Sequence, residues 1–414
     1  MSEWVESPLS QLATFQKGRK VDTSPFNADG YAPYLGASGL EGGDDGFAAT
    51  RLAVIAKNTD TLMLWDGERS GLVGYGRQGV VASTVSKLSP SDKVEPKYLY
   101  YALSERFDWI QHRRTGTGVP HVPKDLGRLL KLCYPRQRTI QQRIATILTG
   151  IDTAIEKTEA LIAKYQQIKA GLMHDLFTRG VLPNGQLRPP REQAPELYQE
   201  AVIGWIPREW RVKRLDEVAQ VARGKFTHRP RNDPAYYGGN YPFIQTGDVS
   251  AAEGGFLSVH SQTLSALGTT VSQCFPEGTI AITIAANIAD TAILAVPMYF
   301  PDSVVGAVVQ QGVNVRFVEL CIRRAKRRLD AMATQSAQKN INLQDLRPLL
   351  IPYPESGEQN RIANLFTAIQ SKLDSEVSTR EKLRAKKRGL MHDLLTGKVL
   401  VNIENKTTTT EALE

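Results

Sequence analysis

Cysteine is scarce in this chain of 414 residues, and the three that occur, Cys133, Cys274 and Cys321, lie far apart without a CxxC spacing. We expect free, buried thiols rather than a disulfide framework. Long apolar runs are also missing, because no stretch reaches the roughly eighteen apolar residues of a membrane span. The start, 1–4, lacks the basic and then apolar segments of a signal peptide. These absences predict a cytoplasmic protein.

Signatures of catalysis are missing as well. No phosphate-binding loop of the Walker type occurs, so ATP hydrolysis is not expected. Residues 240–243 (NYPF) resemble an adenine-N6 methyltransferase motif, but the second residue is Tyr and no Gly-rich loop for S-adenosylmethionine follows a strand. Residues 95–97 (EPK) resemble the end of a nuclease motif, although the Pro indicates a helix cap. We expect no catalytic residue, bound cofactor or metal in this chain.

The six histidines show no metal-ligand spacing. Two of them, His174 and His392, occupy equivalent positions of an internal repeat. We expect these two to take part in helix packing or to interact with a helix C-terminal dipole.

The charge balance is compatible with a nucleic-acid partner. Lys and Arg number 51 against 43 Asp and Glu, which gives a formal net charge of +8. The hydrophobic fraction of 41% and the charged fraction of 23% are those of a globular protein. The length predicts about two to four domains, each large enough for its own core.

One stretch of the chain occurs twice. The first copy contains QQRIA at 141–145 and GLMHDL at 171–176, and the second contains QNRIA at 359–363 and GLMHDL at 389–394. The offset of 218 is constant, and the copies agree at 13 of the 34 positions that begin at Arg143. The fold is therefore interpreted as an internal duplication.

Each copy predicts a long amphipathic helix, over 138–181 and over 356–397. Apolar residues recur at alternating steps of three and four, as in a coiled-coil seam. The first seam contains Ile144, Ile147, Ile151, Ala154, Thr158, Leu161, Tyr165, Ile168 and Leu172, widened by Leu148, Ile155, Ile162 and Leu176. The second contains Ile362, Leu365, Phe366, Ile369, Leu373, Val377, Leu383 and Leu390. Its polar middle, Glu376, Arg380, Lys386 and Lys387, predicts looser packing or exposure to solvent.

The segments outside the helices form two globular regions, 1–137 and 209–355, with a polar tail at 398–414. Trp4, Leu9, Ala13 and Gly18 recur 206 positions later at 210, 215, 219 and 224, so these regions are interpreted as diverged copies. Short β-prone runs (80–85 and 279–284) and helices (96–107 and 318–332) predict a mixed α/β (α+β) fold. A Pro-rich linker, 182–208, is expected to let the second region move independently of the first helix.

Basic and polar residues cluster at matching places in the two regions. The candidate DNA-binding residues of the first region are Lys17, Arg19, Lys20, Arg113, Arg114, Thr115 and Thr117. Those of the second are Arg223, Lys225, Arg229, Arg231, Arg323, Arg324, Arg327, Gln335, Gln338, Lys339 and Asn340. A solvated basic face explains any one residue, whereas paired clusters favour contact with phosphates and base edges.

The whole pattern resembles the specificity subunit of type I restriction-modification enzymes. The resemblance rests on the repeated Gln-x-Arg-Ile-Ala and Gly-Leu-Met-His-Asp-Leu motifs, on GWIPREW at 204–210, and on the alternation of diverged globular regions with similar helices. It covers essentially the whole chain. One departure is that 1–9 lacks the Gly-Trp-Ile-Pro segment, so the first strand is expected to be less well anchored.

The resemblance implies two target-recognition domains that each read half of a bipartite, asymmetric DNA site. The helices, antiparallel and related by a pseudo-two-fold, would act as a spacer of at most about 60 Å and bind two modification subunits, which methylate adenine with S-adenosylmethionine. Restriction subunits would use ATP and Mg. The residues expected to pack the helices or bind partners are Arg143, Ile144, Ile151, Leu172, Arg361, Ile362, Ile369 and Leu390.

Two other interpretations remain open from sequence. A coiled-coil adaptor that binds only proteins explains the helices but not the paired basic loops. A self-contained methyltransferase or nuclease would need the motifs that are missing.

Overall fold

The computed structural model describes residues 4–116, 118–285, 287–333 and 340–401. They form two compact units: unit 1 comprises the chain up to Leu161 and from Glu376 onward, and unit 2 comprises Ile162–Ser375. Both boundaries fall inside the long helices. Each unit therefore contains one globular region and half of each long helix, whereas the sequence divides the chain at the helix ends.

Unit 1 contains eleven described strands and four short helices. The strands are β1 (Trp4–Pro8), β2 (Ala13–Lys17), β3 (Thr23–Ser24), β4 (Tyr31–Leu35), β5 (Phe47–Ala49), β6 (Ile55–Ala56), β7 (Thr61–Leu64), β8 (Val73–Tyr75), β9 (Gly79–Val81), β10 (Val85–Pro90) and β11 (Lys131–Pro135). The helices are α1 (Ala37–Leu40), α2 (Pro96–Glu105), α3 (Phe107–Gln111) and α4 (Leu126–Leu129). The long helix α5 (Arg138–Thr178) begins in this unit.

Unit 2 contains the remaining described strands. They are β12 (Tyr198–Ala201), β13 (Gly204–Pro207), β14 (Arg211–Arg214), β15 (Ala219–Arg223), β16 (Tyr237–Phe243), β17 (Phe256–Leu257), β18 (Gln262–Leu264), β19 (Cys274–Phe275), β20 (Ile280–Thr283), β21 (Thr291–Leu294), β22 (Met298–Tyr299), β23 (Val304–Val309) and β24 (Leu350–Tyr353). Its helices are α6 (Leu215–Val218), α7 (Thr246–Ala251), α8 (Ala266–Thr270), α9 (Val315–Met332) and α10 (Leu343–Leu346), and α11 (Ser356–Leu395) begins here.

The two globular regions share one sheet plan, as expected of a duplication. A two-stranded antiparallel pair connects the start of each region to its end, β1 with β11 and β14 with β24. The main sheets have the orders β2-β10-β7-β8 and β15-β23-β20-β21-β17. A second sheet in each region contains a parallel pair, β4 with β9 and β16 with β22. The mixed α/β fold predicted from the sequence is therefore confirmed.

The first strand is anchored as firmly as its counterpart, contrary to expectation. β1 pairs with β11 over five residues, from Trp4 opposite Pro135 to Pro8 opposite Lys131. The missing Gly-Trp-Ile-Pro segment does not weaken this pairing because in unit 2 that segment forms a separate hairpin, β12–β13. The run 80–85 is also not one strand, since residues 82–84 form a turn between β9 and β10.

The segment 182–208 is not a free linker. Arg188 lies in it with only 6% of its side chain exposed, and its guanidinium contacts the buried Glu358 carboxylate at the start of α11. Glu358 also accepts hydrogen bonds from Val181 N and Trp210 Nε1, at 2.7 and 3.0 Å. A buried charge of this kind is stable only with its partners in place, so the segment is held against the helix ends of unit 2.

The long helices are antiparallel within each unit. In unit 1 Lys387 Nζ lies 2.6 Å from Asp152 Oδ1, and Arg384 Nη2 lies 2.6 Å from Glu159 Oε1, so the partner number falls as the number in α5 rises. Of the predicted polar middle of α11, Lys387 thus forms an ion pair with α5, whereas Lys386 is exposed, as expected. In unit 2 Lys169 lies over the Phe366 ring, at 5.6 Å from its centroid.

The buried seam of α5 differs from the predicted one at two positions. Leu161 is 39% and Ile168 41% exposed, whereas Ile162, one residue beyond the first of them, is buried. Leu365 of α11 is likewise 36% exposed. Apolar residues on both sides of the seam made the two registers indistinguishable from sequence. A positive φ at Gly180 and at Gly397 follows each helix, as a C-terminal glycine permits.

Within the described ranges, none of the helices combines the length and the apolar character that a membrane crossing requires.

Candidate nucleic-acid interface

A glycine corner ends the first strand of each main sheet. Gly18 N donates to Val85 O at 2.9 Å, and Gly224 N donates to Val304 O at 2.8 Å. A Cβ on either glycine would overlap backbone carbonyls of the adjoining turn, at Ala82 and at Pro301. Only glycine fits this close approach, and basic residues adjoin both corners in the sequence.

In unit 1 the corner joins the loop that begins at Thr115. Lys17 Nζ lies 2.9 Å from Asp66 Oδ2, and His121 Nδ1 lies 2.7 Å from Asp66 Oδ1. Thr115 and His121 exchange backbone hydrogen bonds of 3.0 and 2.8 Å. Because one carboxylate can accept from two donors at once, Asp66 brings together two clusters that the sequence separates by about a hundred positions. Arg19, which follows the corner, is exposed.

The last two candidates of this group are Lys20 and Thr117. Lys20 is exposed beside Arg19, while Thr117 lies outside the described residues.

The arginines after α3 are held by their own loop. The Arg113 guanidinium stacks over the Trp109 ring, 4.0 Å from its centroid. Arg114 Nη1 donates to Glu68 O at 2.7 Å, and its Nε donates to Gln111 O at 3.0 Å. These contacts fix the direction of both side chains, which a loop arginine in solvent would not keep.

In unit 2 a carboxylate from a different position in the fold, Asp302 in the turn before β23, lies at the corner. Its carboxylate accepts two hydrogen bonds from Arg231 Nη2, at 2.9 and 2.8 Å, and its backbone carbonyl accepts one from Arg223 Nε. Arg229 Nη1 donates to Phe226 O and to its neighbour's carbonyl, each at 2.7 Å. Lys225 is exposed. At each corner one carboxylate therefore pairs with one basic candidate, Asp66 with Lys17 and Asp302 with Arg231.

Arg323, another candidate, pairs with a buried carboxylate of its own helix. Its Nη2 and Nε lie 2.7 and 2.9 Å from Glu319 Oε1, and Glu319 is fully buried. Arg316 Nη1 and Thr291 Oγ1 also donate to this carboxylate, at 3.1 and 2.6 Å. A buried carboxylate needs such partners. Arg323 thus neutralises a buried carboxylate with a side chain that is 22% exposed, and its contact with DNA stays a prediction.

The other candidates of unit 2 are spread around α9. Arg324 lies over the Phe177 ring, 5.7 Å from its centroid, and Arg327 is exposed. Asn340 forms an isolated β-bridge with Ala285. Three further candidates lie outside the described residues, namely Gln335, Gln338 and Lys339. The structure does not bring the described α9 residues together with the corner at Gly224.

The repeated motif at the start of each long helix has a role that the sequence did not indicate. Gln141 is fully buried; its Oε1 accepts from Glu95 N at 2.6 Å and its Nε2 donates to Pro135 O at 2.8 Å. Glu95 is the N-cap of α2, where its side chain accepts from Tyr98 N. One glutamine therefore joins the long helix, the last strand and the start of a domain helix.

The second copy repeats this arrangement. Gln359 is 1% exposed; its Oε1 accepts from Asn314 N at 3.0 Å and its Nε2 donates to Pro354 O at 2.9 Å. Asn314 is the N-cap of α9, and its side chain accepts from Phe317 N. Only the identical spacing of the two motifs could have signalled this, because the partners come from distant parts of the sequence.

The residues assigned to helix packing divide into two groups. Ile144 and Ile362 are buried, and Ile151, Leu172, Ile369 and Leu390 are partly buried. Arg143 is exposed, and Arg361 Nε donates to Val181 O at 3.1 Å. Both repeated histidines, His174 and His392, have exposed side chains, which contradicts a role in helix packing. His392 lies in the last turn of α11, as the other predicted role, an interaction with the helix C-terminal dipole, requires.

No group of three or more His, Cys, Asp or Glu side chains in the described part of the chain could hold a metal ion. The cysteines are free: Cys321 is buried, as expected, but Cys133 is partly buried and Cys274 is exposed. The described residues thus form basic surfaces at the two glycine corners and hydrogen-bonded connections between each globular region and a long helix.

Solved structures share this fold. The S subunit of a type I restriction-modification system from M. genitalium matches with a TM-score of 0.62 and 16% identity, over 95% of this chain and 96% of that one. A chain from a structure on complex assembly and conformational transition of the type I R-M system matches with a TM-score of 0.55 and 14% identity, over 96% and 98%. The chain therefore shares the fold of these two solved structures.

Sequence comparison identifies the family. The model of the type I restriction modification DNA specificity domain matches residues 1–167 and 207–385. The type I restriction enzyme MjaVIII specificity subunit of Methanocaldococcus jannaschii is 26% identical over 433 residues, covering 96% of this chain and 93% of the relative. A putative type I specificity subunit of Mycoplasma pneumoniae is 24% identical over 262 residues, 61% of each chain.

The chain belongs to the family of type I restriction modification DNA specificity domains. It is a DNA-sequence-recognition subunit of a type I restriction-modification complex, as the resemblance predicted. The name of specificity subunit implies a non-catalytic role, with DNA and the other subunits of the complex as partners.

Proposed function

We propose that the chain reads a bipartite, asymmetric DNA site, one half with each globular region. The observation that carries this proposal is the contrast between identical supports and different surfaces. Gln141 and Gln359 hold the two regions on the long helices through the same hydrogen bonds. The surfaces at the two glycine corners carry different residues. Two globular regions that are attached to the long helices in the same way would therefore recognise different DNA sequences.

The corners supply both kinds of contact that sequence-specific recognition needs. Exposed cations such as Arg19, Lys20 and Lys225 would bind phosphates and set the position of the duplex. Side chains that a carboxylate already orders, such as Arg231 beside Asp302, would lose little conformational entropy when they contact a base edge. Recognition would then depend on the particular residues of each corner.

We further propose that the long helices bind two modification subunits, and that restriction subunits join the complex. The repeat of the Gly-Leu-Met-His-Asp-Leu motif at 171–176 and 389–394 supports a partner that is present twice. Methylation of adenine with S-adenosylmethionine, and cleavage that uses ATP and Mg, would take place in those subunits. This chain would determine where they act.

Exchange of one globular region tests the independence of the two readers. Replacement of Trp210–Pro354 by the equivalent segment of another specificity subunit should change one half of the methylated site and leave the other half as it was. The matched exchange of Trp4–Pro135 should change only the opposite half. Methylation mapping of DNA modified by the assembled complexes gives the result. A change in both halves after either exchange contradicts the proposal.

A further inference from the structure

One connection in the second sheet has the same place in both globular regions. That sheet contains the run β5-β4-β9-β6 in unit 1 and the run β18-β16-β22-β19 in unit 2. Residues 50–54 connect β5 to β6, and residues 265–273 connect β18 to β19. Each of these leucine connections presents an exposed leucine, with Leu52 79% and Leu267 49% exposed. Two diverged regions thus share an exposed apolar side chain at one topological position.

In unit 1 the leucine connection lies beside the glycine corner. Val81 N donates to Val54 O at 2.8 Å, and the Val81 carbonyl is one of the groups that a Cβ at Gly18 would overlap. Ala49 N, directly before the connection, donates at 2.9 Å to Asp22 O, in the segment that follows the corner. The connection therefore adjoins the corner at both of its ends.

The leucine connection of unit 2 is joined to its corner by direct hydrogen bonds. Ser272 Oγ donates to Lys225 O at 2.7 Å, and Thr227 N donates to Val271 O at 3.0 Å. Lys225 and Thr227 belong to the segment that directly follows the corner glycine. In both regions the leucine connection thus lies next to the basic residues that are proposed to bind phosphates.

Leu52 is held at the surface by a strained turn. Ala53 N donates to Thr50 O at 3.2 Å, which closes a turn of four residues. The φ of Leu52 is 61°, in the left-handed region that leucine rarely adopts because its Cβ crowds the backbone. Glycine or asparagine would relieve this strain, and burial does not require leucine at an exposed position. Strain of this kind is typical of functional sites.

Helix α8 fixes Leu267 in a different way. Ser265 is the N-cap of α8, and its Oγ accepts from Gly268 N at 3.1 Å. A Cβ at Gly268 would overlap the Tyr236 carbonyl, so the helix packs directly on that backbone. Leu267, next to the glycine, is thereby kept at the surface. Both leucines have a fixed backbone, so little conformational entropy is lost when they contact a ligand.

We propose that Leu52 and Leu267 each contact the 5-methyl group of a thymine in the major groove of one half-site. This inference rests on the proposed function, in which each region reads one half. The thymine methyl is the apolar group that base pairs present in the major groove. Exposed cations, Arg19 and Lys20 in one region and Lys225 in the other, would bind phosphates and position the duplex beside the leucines.

A protein partner explains the leucines less well. A lone exposed leucine needs no explanation by itself, and protein partners bind contiguous apolar patches. Each leucine here has exposed polar residues in its own connection, Thr50 and Arg51 in unit 1, and Thr270 and Gln273 in unit 2. Recurrence beside both corners, among polar and basic groups, favours contact with a nucleic-acid groove.

Uracil in place of thymine tests the contact, because it removes the methyl group and keeps the base pairing. The protein is the complex of the chain with its modification subunits, and the probe is a duplex that contains the site mapped by methylation. Replacement of the contacted thymine should weaken binding about threefold to tenfold, as expected for one buried methyl group. Fluorescence anisotropy titration measures Kd with each thymine replaced in turn.

Substitution of a leucine should abolish this sensitivity in one half-site only. Leu52→Ala should weaken binding to the thymine duplex by a similar factor and should bind the thymine and uracil duplexes equally well. Leu52→Met keeps an apolar side chain and should restore discrimination. Leu267→Ala should lose discrimination in the opposite half-site and keep it in the first.

Leu129 provides a matched control in unit 1. It is 44% exposed and lies in α4. The next residue, Leu130, accepts a hydrogen bond of 2.8 Å from Leu9 N, before β2 begins, whereas the glycine corner follows the end of β2. Leu129→Ala should therefore bind the thymine duplex like the unaltered chain and keep the discrimination against uracil.

The outcomes separate this inference from the proposed function. If the unaltered complex binds the mapped site specifically and uracil has no effect, or if Leu52→Ala stays as sensitive to uracil as the unaltered chain, the leucines do not read a methyl group. Equal losses on both duplexes would assign the leucine to the DNA backbone or to insertion between base pairs, and weaker binding of modification subunits would assign it to a protein; either result overturns the proposal. If the unaltered complex binds a scrambled duplex equally well, the proposed function itself fails.

Discussion

In unit 1 ion pairs of partly exposed side chains join the two long helices, and in unit 2 a buried ion pair joins the start of α11 to the segment 182–208. Glu159 and Arg384 are 41% and 45% exposed in their side chains, while Arg188 and Glu358 are 6% and 7% exposed. The position equivalent to Glu358 in α5 is Ile140, which is buried and apolar. The two helices thus share the Gln-x-Arg-Ile-Ala motif near their N-termini. The residue directly before that motif is a buried carboxylate in α11 and a buried isoleucine in α5.

Comparison of the two units shows which contacts of the repeated motif are the same in both copies. Gln141 and Gln359 make equivalent hydrogen bonds in the two units, although the ion pairs around them differ. Support of the globular region is therefore common to both copies, and stabilisation of the helix ends by a buried charge is specific to unit 2. Substitutions of three kinds separate these contributions.

Loss of the buried carboxylate should have the largest effect, and only in unit 2. Glu358→Ala leaves the Arg188 charge buried without its main partner, which should lower the free energy of unfolding by about 3–5 kcal/mol. Hydrogen exchange should accelerate first at Val181 and around Trp210. Glu209→Ala, which removes the exposed partner of Arg188 at 3.1 Å, should cost less than about 1 kcal/mol. Equal effects of the two substitutions would contradict the buried-charge explanation.

Loss of either motif glutamine should have an intermediate effect of the same size in both units. Gln141→Ala and Gln359→Ala each leave buried backbone groups without a partner, at a cost of about 1–3 kcal/mol. Amide exchange should rise at the backbone N–H groups that lose their acceptor, Glu95 in unit 1 and Asn314 in unit 2.

A strongly unequal pair of costs would show that the two supports are not equivalent. Gln142→Ala, at the exposed neighbouring position, is the matched control and should change the free energy of unfolding by less than about 0.5 kcal/mol.

The smallest effect is expected at the exposed pair of unit 1. Glu159→Gln removes the charge that faces Arg384 and should cost no more than about 1 kcal/mol at low salt, because exposed ion pairs are weak. The cost should fall further at 1 M salt, where charges are screened within about 3 Å. Denaturation of the unaltered chain and of Glu159→Gln at low salt and at 1 M salt measures this change in the free energy of unfolding. A loss that does not depend on salt would argue against a screened ion pair.

Much of the fold followed from sequence because its signals are local or periodic. The constant offset between the QQRIA and QNRIA motifs predicted the duplication, and the three-and-four spacing predicted two long helices, which the structure contains at Arg138–Thr178 and Ser356–Leu395. The seam position was wrong at Leu161 and Ile168, since apolar residues on both sides of the seam satisfy the same period.

The candidate site was less predictable than the fold. The sequence places Lys17 and Thr115 far apart, and Asp66, which connects them through His121, carries no local signal. Arg323 was assigned to DNA because it stands in a basic run, but its charge is used by the buried Glu319. Burial and pairing with distant residues decide whether a basic side chain is free to contact DNA. Neither can be predicted from a short stretch of sequence.

By itself, the sequence determined the duplication, the two helices and the resemblance to specificity subunits, since repeats and motifs need no three-dimensional information. The tertiary structure alone decided that Gln141 and Gln359 support the two regions, that Arg188 ties residues 182–208 to Glu358, and that Leu52 and Leu267 are exposed beside the two glycine corners. The physical reason is that hydrogen bonds and burial arise between residues distant in the chain, and only folding brings those residues together.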